Sequence, residues 1–330
     1  MVTVVVPMRN EEAYIAKCLR SIVEQDYPQD SLEILVVDGL SDDRSREIVE
    51  ELRGQYPFIR LLDNPRRIVP TAMNIGIKEA GGEVIVRVDG HCRLVPDYIS
   101  QCVRYLEETG VACVGGAIES IGQTPMARAI SLAMSLPFGV GDAYFRHAQK
   151  QKERYVDTLA FGAYRREVFN RIGLFDEELM RNQDYELNYR LRKAGGKILL
   201  TPAIKSYYYT RSSLGKLWSQ YFHYGFWKVQ MLRKHPRSVK VRQLVPPLFA
   251  LALLISGALS AISSLATWVF ALVVASYLSL SLSFSFSIAA HRGWRYLPIL
   301  PIIFACLHLS WGLGFLYSLA QLIFQWLVRR

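Results

Sequence analysis

The sequence predicts an α/β domain built on a mainly parallel sheet, followed by membrane-spanning helices. Three observations carry this expectation. Short β-branched runs alternate with helical patterns through the first half of the 330 residues, polar and charged residues gather at the ends of those runs, and charge vanishes from the last quarter.

Val2 to Pro7, Leu32 to Asp38, Ile59 to Asp63, Glu83 to Asp89 and Val111 to Ala117 read as strands. Between them, Glu11 to Gln25, Asp43 to Gln55, Thr71 to Ala80 and Asp97 to Glu108 repeat apolar residues at helical spacing. Such alternation implies right-handed crossovers and helices on both faces of the sheet. Ligands of these sheets bind beyond the C-terminal ends of the strands. Those ends here carry Pro7-Met-Arg-Asn-Glu-Glu12, Asp38-Gly-Leu-Ser-Asp-Asp43 and Asp89-Gly-His91. Singly, Asn10 or Ser41 would serve as a helix cap and Asp38 as a turn residue. Their recurrence at three strand ends of one sheet favours a binding site.

Lys and Arg number 39 against 29 Asp and Glu, a net charge of +10. Its placement matters more than its size. No charged side chain occurs from Leu244 to Ala290 or from Tyr296 to Val328, and from Gln243 onward the only charges are Arg292, Arg295, Arg329 and Arg330. About 20 apolar residues cross a bilayer as a helix, so the first stretch suffices for two spans, with a break around Ser260 to Thr267. The second gives one long span or two shorter pieces, because Gly312 and Gly314 flank its middle. The expected division is a catalytic domain over 1–212, a basic amphipathic segment over 213–242, and two to three membrane helices over 243–330.

Lys228, Arg233, Lys234, Arg237, Lys240 and Arg242 precede the first apolar stretch without an intervening acid. The positive-inside rule then puts the N-terminal domain in the cytoplasm, at the inner or plasma membrane, with these cations near anionic lipid. A single crossing by the last stretch would leave Arg329 and Arg330 outside, a mild conflict. No nucleic-acid-recognition motif accompanies the basic segment, so nucleic acid is not an expected partner. Met1-Val-Thr-Val-Val-Val-Pro7 is too short for a signal peptide's apolar core and lacks a basic start. Cys18, Cys92, Cys102, Cys113 and Cys306 form no CxxC pair, which fits reduced cytosolic thiols.

The segments VVVPMRNEE (Val4 to Glu12), EILVVDGLSDD (Glu33 to Asp43), NPRRIVPTAMNIGIKEAGGEVIVRVDGH (Asn64 to His91) and RNQDYELNYRLRKAGGKI (Arg181 to Ile198) resemble the inverting family 2 glycosyltransferases of GT-A fold. The resemblance runs in order over about residues 1 to 235. With the C-terminal apolar hairpin, GVGDAYFR at Gly139 to Arg146 resembles membrane-bound transferases of bacterial exopolysaccharide assembly, the succinoglycan type among them.

The resemblance implies that Pro7, Arg9, Glu11 and Asp38 line a uridine pocket, and that Asn74 helps to hold a nucleotide-sugar donor. Asp89 matches the first acid of the DxD motif that binds Mg²⁺ or Mn²⁺ on the diphosphate. His91 stands where the family has the second acid, either as a ligand or as a bystander. Such a cation stabilises the departing diphosphate, and an imidazole ligand shifts preference toward Mn²⁺. Asp184 matches the family's base, which takes the proton of the attacking hydroxyl, although Gln183 replaces the usual preceding Glu. Asp184 or Glu186 could equally serve as an acid at a helix N-terminus. Arg211, Gln220 and His223 are candidate contacts to the diphosphate or the acceptor.

A processive synthase would carry a QxxRW-type motif. Gln220 to Trp227 keeps a Gln and a Trp without the Arg-Trp pair, so transfer of a single sugar to a lipid-linked, membrane-embedded acceptor is expected. The alternatives are a processive synthase and an inactive donor-binding subunit. Leu214 to Leu232 gathers its apolar residues on one broad face, as for an interfacial helix or one packed on the catalytic domain. The loop from Gly122 to Lys152 is expected to set the choice of sugar and acceptor.

Overall fold

The computed structural model of the chain describes residues 1–141, 143–146 and 152–328. The chain forms two compact units, Met1–Glu119 with Tyr144–Tyr209, and Ser120–Ala143 with the segment from Thr210 onward. In chain order the elements begin β1 (Val2–Met8), α1 (Ile15–Val23), β2 (Leu32–Asp38), α2 (Ser45–Gln55), β3 (Ile59–Asp63), α3 (Val69–Glu79) and β4 (Val84–Arg87). Next come β5 (Cys92–Leu94), α4 (Tyr98–Thr109), β6 (Cys113–Ile121), α5 (Pro125–Met134) and α6 (Pro137–Val140). The chain continues with β7 (Arg154–Tyr155), β8 (Ala163–Arg165), α7 (Glu167–Ile172), α8 (Gln183–Lys193) and β9 (Ile198–Tyr209). It closes with α9 (Leu214–Lys234), α10 (Val245–Leu259), α11 (Ser264–Arg292) and α12 (Leu300–Val328).

The sheet runs β3-β2-β1-β4-β8-β6-β9-β5, with β7 on β9. Its first half is parallel, as the crossover helices require. β8 is antiparallel to β4 and β6, while β5 and β7 are antiparallel to β9, so the whole sheet is mixed. The antiparallel half follows from β5, β7, β8 and β9, which the sequence reading did not include.

Both faces of β1 are covered, so it reads as an apolar run interrupted only by the buried Thr3. Val2, Val4, Val6 and Met8 join α1, α2 and α4 in one core cluster, while Val5 joins α3 and α8 in the other. Helix α3 lies so close to β1 that a Cβ on Gly76 would stand 2.4 Å from Val5 Cγ1. Pro7 is tolerated in this central strand because β4 pairs with β1 only as far as Val5, so no partner amide acceptor faces its missing N–H.

The second unit contains three helical segments long and apolar enough to cross a membrane, Val241–Leu259, Ser264–Arg292 and Leu300–Val328. The last is one continuous helix. Its glycines are points of close helix approach: a Cβ on Gly314 would lie 2.0 Å from the Phe222 carbonyl oxygen, and one on Gly225 the same distance from that of Trp311. Helices α9 and α12 thus meet backbone to backbone, as small residues allow in apolar surroundings. Gly312 does the same for α10, against Pro246. The apolar face of α9 therefore packs on α12. On α12, His308 lies 2.7 Å through Nε2 from the Phe138 carbonyl of α6 and 2.9 Å through Nδ1 from the Tyr277 hydroxyl. A carbonyl only accepts, so the neutral ring donates from Nε2 and accepts from Tyr277. Arg329 and Arg330, on which the expectation of an outside end rested, lie outside the described residues.

Candidate functional site

Three loops interlock at the C-terminal ends of β1, β2 and β3. Asn10 accepts from the Asp42 amide (3.0 Å) and donates to its carboxylate (2.6 Å), and the Ser41 hydroxyl accepts from the Asn10 amide (2.9 Å). The Gly39 amide donates to the Met8 carbonyl and the Asn64 amide to that of Asp38, both at 2.8 Å. Asn10, Leu40 and Arg67 take left-handed backbone conformations with φ of 55°, 53° and 58°. For Leu40 and Arg67 such a conformation costs about 1–2 kcal/mol each, a strain that clusters at functional sites. A side chain on Gly39 would press within 3.4 Å of Arg9 and the Arg67 backbone, so these three stand together on the rim.

Asp38 lies at the bottom of that rim, its side chain wholly buried. Its carboxylate accepts from the Ser41 hydroxyl (2.6 Å), the Ser41 amide (3.1 Å) and Arg46 (3.0 Å), and Arg46 also pairs with Asp63. Asn64, whose amide meets the Asp38 carbonyl, and Thr71, in the first turn of α3, carry an Oδ1 and an Oγ1 that are buried without a hydrogen-bond partner. Orphaned buried acceptors are rare and mark places where a ligand can satisfy them. Neither is among the site residues expected from the sequence, where Asn64 only opens a family-like segment and Thr71 a helical pattern.

The second half of the site is built on β4 and α8. Arg87, 6 % exposed, donates from Nε to Asp89 Oδ1 at 2.9 Å and from Nη1 to Asp184 Oδ1. Burial alone would lower the Arg87 pKa, but Asp184 and Asp89 more than offset it and hold it above its ordinary value. Asp184 sits in the first turn of α8, preceded by Asn182 at φ 61°. Burial pushes its carboxyl up to about 6, with Asp89 adding to the rise and Arg87 and Arg181 opposing it. Its side chain keeps 25 % exposure, and Arg87 engages only one of its oxygens. A carboxylate of that pKa, with a free oxygen, can accept a proton near neutral pH. Beside it, Gln183 Oε1 is buried without a partner.

His91 follows Asp89 by two residues. Its Nδ1 lies 2.8 Å from Glu11 Oε1, and its ring meets that of Tyr208 edge-on. Since a carboxylate only accepts, Nδ1 is the protonated nitrogen, and the tautomer with that single proton presents a lone pair at Nε2. A carboxylate behind an imidazole is the usual support of a metal-ligating histidine. Among the described residues no group of three or more His, Cys, Asp and Glu is arranged to hold a metal. Asp89 and His91 supply one oxygen and one nitrogen donor, types that Mg²⁺ or Mn²⁺ accept, two residues apart in the chain.

The other expected residues are placed differently. Asn74 is buried and spends its amide on both backbone groups of Phe175, at 2.9 Å each, and on Glu177 at 2.8 Å. Glu177 also pairs with Arg66, so Asn74 ties α3 to the segment that precedes α8. Glu186 is held by Arg190, whose guanidinium meets both its oxygens. Arg211, Gln220 and His223 belong to the second unit, where Gln220 donates to the Tyr224 hydroxyl at 2.9 Å and His223 Nδ1 lies 2.6 Å from the Ser219 carbonyl. Pro7, Arg9, Glu11, Asp38, Asn74, Asp89, His91 and Asp184 all lie in the first unit. Arg87 was not anticipated, because one arginine among Val-Ile-Val reads as an ordinary strand residue.

The chain has recognisable relatives in sequence and in fold. Residues 3–173 match the glycosyl transferase family 2 profile. The succinoglycan biosynthesis protein ExoA of Rhizobium meliloti (strain 1021) is 30 % identical over 314 residues, 94 % of this chain and 93 % of that protein. A dolichyl N-acetyl-alpha-D-glucosaminyl phosphate 3-beta-D-2,3-diacetamido-2,3-dideoxy-beta-D-glucuronosyltransferase of Methanococcus voltae is 32 % identical, covering 71 % of this chain and 74 % of its own. Among solved structures, the Pyrobaculum calidifontis mannosyltransferase PcManGT, in complex with GDP-Man and Mn²⁺, superposes with a TM-score of 0.58 at 20 % identity, covering 96 % of this chain and 87 % of its own. The mixed sheet with its crossover helices is a GT-A fold, and the chain belongs to glycosyl transferase family 2.

Proposed function

We propose that the chain transfers one sugar, with inversion, from a UDP-sugar to a lipid-linked acceptor, of the polyprenyl-diphosphate kind, during polysaccharide or glycolipid assembly. The observation that carries this reading is the pairing of Asp184 and Asp89 through one guanidinium, with Asp184 keeping an open oxygen and a pKa near 6. In this reading the first unit is catalytic and the second is its membrane attachment, at the inner or plasma membrane with the catalytic unit in the cytoplasm. Lys228, Arg233, Lys234, Arg237 and Lys240 lie in and beyond α9, ahead of the first apolar span. The name of the Methanococcus relative, with its dolichyl-linked sugar phosphate, supports a lipid acceptor. The Mn²⁺ and GDP-Man of the mannosyltransferase support a cation beside a nucleotide sugar.

The donor's nucleoside would sit on the rim of Arg9, Gly39 and Arg67, over Asp38. Asp89 and His91 Nε2 would hold a divalent cation, Mg²⁺ or Mn²⁺, which as a Lewis acid stabilises charge on the diphosphate leaving group. Asp184 accepts the proton of the acceptor hydroxyl as its oxygen attacks the anomeric carbon from the opposite side. Arg87 holds the other oxygen of that base.

The test is a screen of radiolabelled UDP- and GDP-sugars with membranes bearing the protein and lipid-linked acceptors, with and without excess chelator. The expected result is one added sugar of inverted configuration from a UDP-sugar, lost in chelator. Polymer from one acceptor, retention, or full activity in chelator would each overturn the corresponding part, and no transfer from any donor would overturn the whole.

A further inference from the structure

Arg87 touches both carboxylates of the proposed chemistry, and its placement leaves it little freedom. Its amide donates to the Gly162 carbonyl at 3.1 Å, which fixes the β4 backbone against the chain entering β8. From there the side chain is buried up to its head. A guanidinium is a rigid fork whose nitrogens are a fixed distance apart. Nε on Asp89 and Nη1 on Asp184 therefore set the spacing between the residue at the end of β4 and the residue in the first turn of α8.

The same head is also a competitor. A cation at Asp89 and the Arg87 Nε both seek the electrons of one partly buried carboxylate. When a cation takes that carboxylate, the guanidinium keeps Asp184 as its remaining partner, and the base is held more firmly. We propose that Arg87 is a positioning residue that links occupancy of the cation site to placement of the base. This rests on the reading of Asp89 and Asp184 given above.

The inference predicts two effects of opposite sign from one substitution. In full-length protein in detergent micelles, Arg87→Met should lower the turnover of transfer by about a hundredfold, as for loss of a correctly placed base. It should also tighten Mn²⁺ binding, read from free Mn²⁺ by electron paramagnetic resonance at one fixed concentration of UDP, by about tenfold, because Asp89 loses a cationic neighbour. A merely structural arginine would weaken both. Arg87→Lys keeps the charge, but its single ammonium cannot span both acids. It should fold as the parent does, with turnover down at least about tenfold and the Michaelis constant for the donor within a few-fold. Near-parental turnover in Arg87→Lys, or Mn²⁺ affinity in folded Arg87→Met that is unchanged or weaker, overturns the inference alone. Mn²⁺ binding that is absent from the parent, or that persists in Asp89→Ala, overturns the cation site and the inference with it.

Discussion

Asp38 and Asp184 stand at opposite ends of the same site and are treated in opposite ways. Asp38 is sealed in and surrounded by donors from Ser41 and Arg46. Asp184 is held through one oxygen by one arginine and keeps the other open, while burial lifts its pKa to about 6. A carboxylate whose lone pairs are largely spent shapes a loop, whereas one left half-satisfied can exchange protons. The contrast agrees with the proposed division of labour, donor binding at the β1–β3 rim and proton transfer on the β4–α8 side.

The sharpest way to break that assignment is Asp184→Asn, which keeps size and most hydrogen bonding but cannot take a proton. Turnover should fall at least about a hundredfold, while donor affinity measured by calorimetry stays within a few-fold. Near-parental transfer would mean that the base lies elsewhere. The pH dependence sharpens the same point. A base of pKa about 6 is charged above that pH, so turnover should be level near pH 8 and fall about tenfold per unit below about pH 6. A profile flat down to pH 5 would contradict it.

Asp38→Asn should act on the frame. Weakened charged hydrogen bonds should cost about 1.5–3 kcal/mol of stability in thermal or denaturant unfolding and raise the Michaelis constant for the donor, with turnover kept. Loss of turnover in an equally stable variant would erase the distinction between the two acids. The smallest expected effect on donor binding lies in the second unit. Gly314→Ala puts a methyl against the Phe222 carbonyl and should cost about 3 kcal/mol or more by overpacking two backbones, read as earlier thermal unfolding in detergent with donor affinity unchanged.

The parallel half of the fold was legible because β1, β2 and β3 are mainly apolar, β-branched or leucine-rich runs, with β1 and β2 buried along almost their whole length. Strands β5, β7 and β8 are only two or three residues long and exist through pairing with β9 or β4, which no local pattern reveals. Strand β9 carries Pro202 in its middle, a residue that argues against a strand. Helix α1 starts later than its pattern suggests, because the Glu11 carbonyl first accepts from Tyr14 and Ile15 in a turn. In the site, acids at strand ends signalled themselves and the family resemblance singled out Asp184. Arg87 did not, since its partner Asp184 is 97 residues away in sequence.

The pairing of His308 with the Phe138 carbonyl joins residues 170 positions apart, which bears on how the protein is made. Helices α5 and α6 leave the ribosome well before the helix that completes their packing exists. At a synthesis rate of about 5–20 residues per second, the delay is on the order of ten to thirty seconds. Throughout it the apolar segment of Ile130, Ala133 and Met134 lacks Ile303, Phe304 and Leu307 of α12, with which it shares a core. Synthesis directly at the bilayer would shelter it during that interval. A ribosome released from the membrane would instead expose it to chaperones and proteases before the last helix arrives.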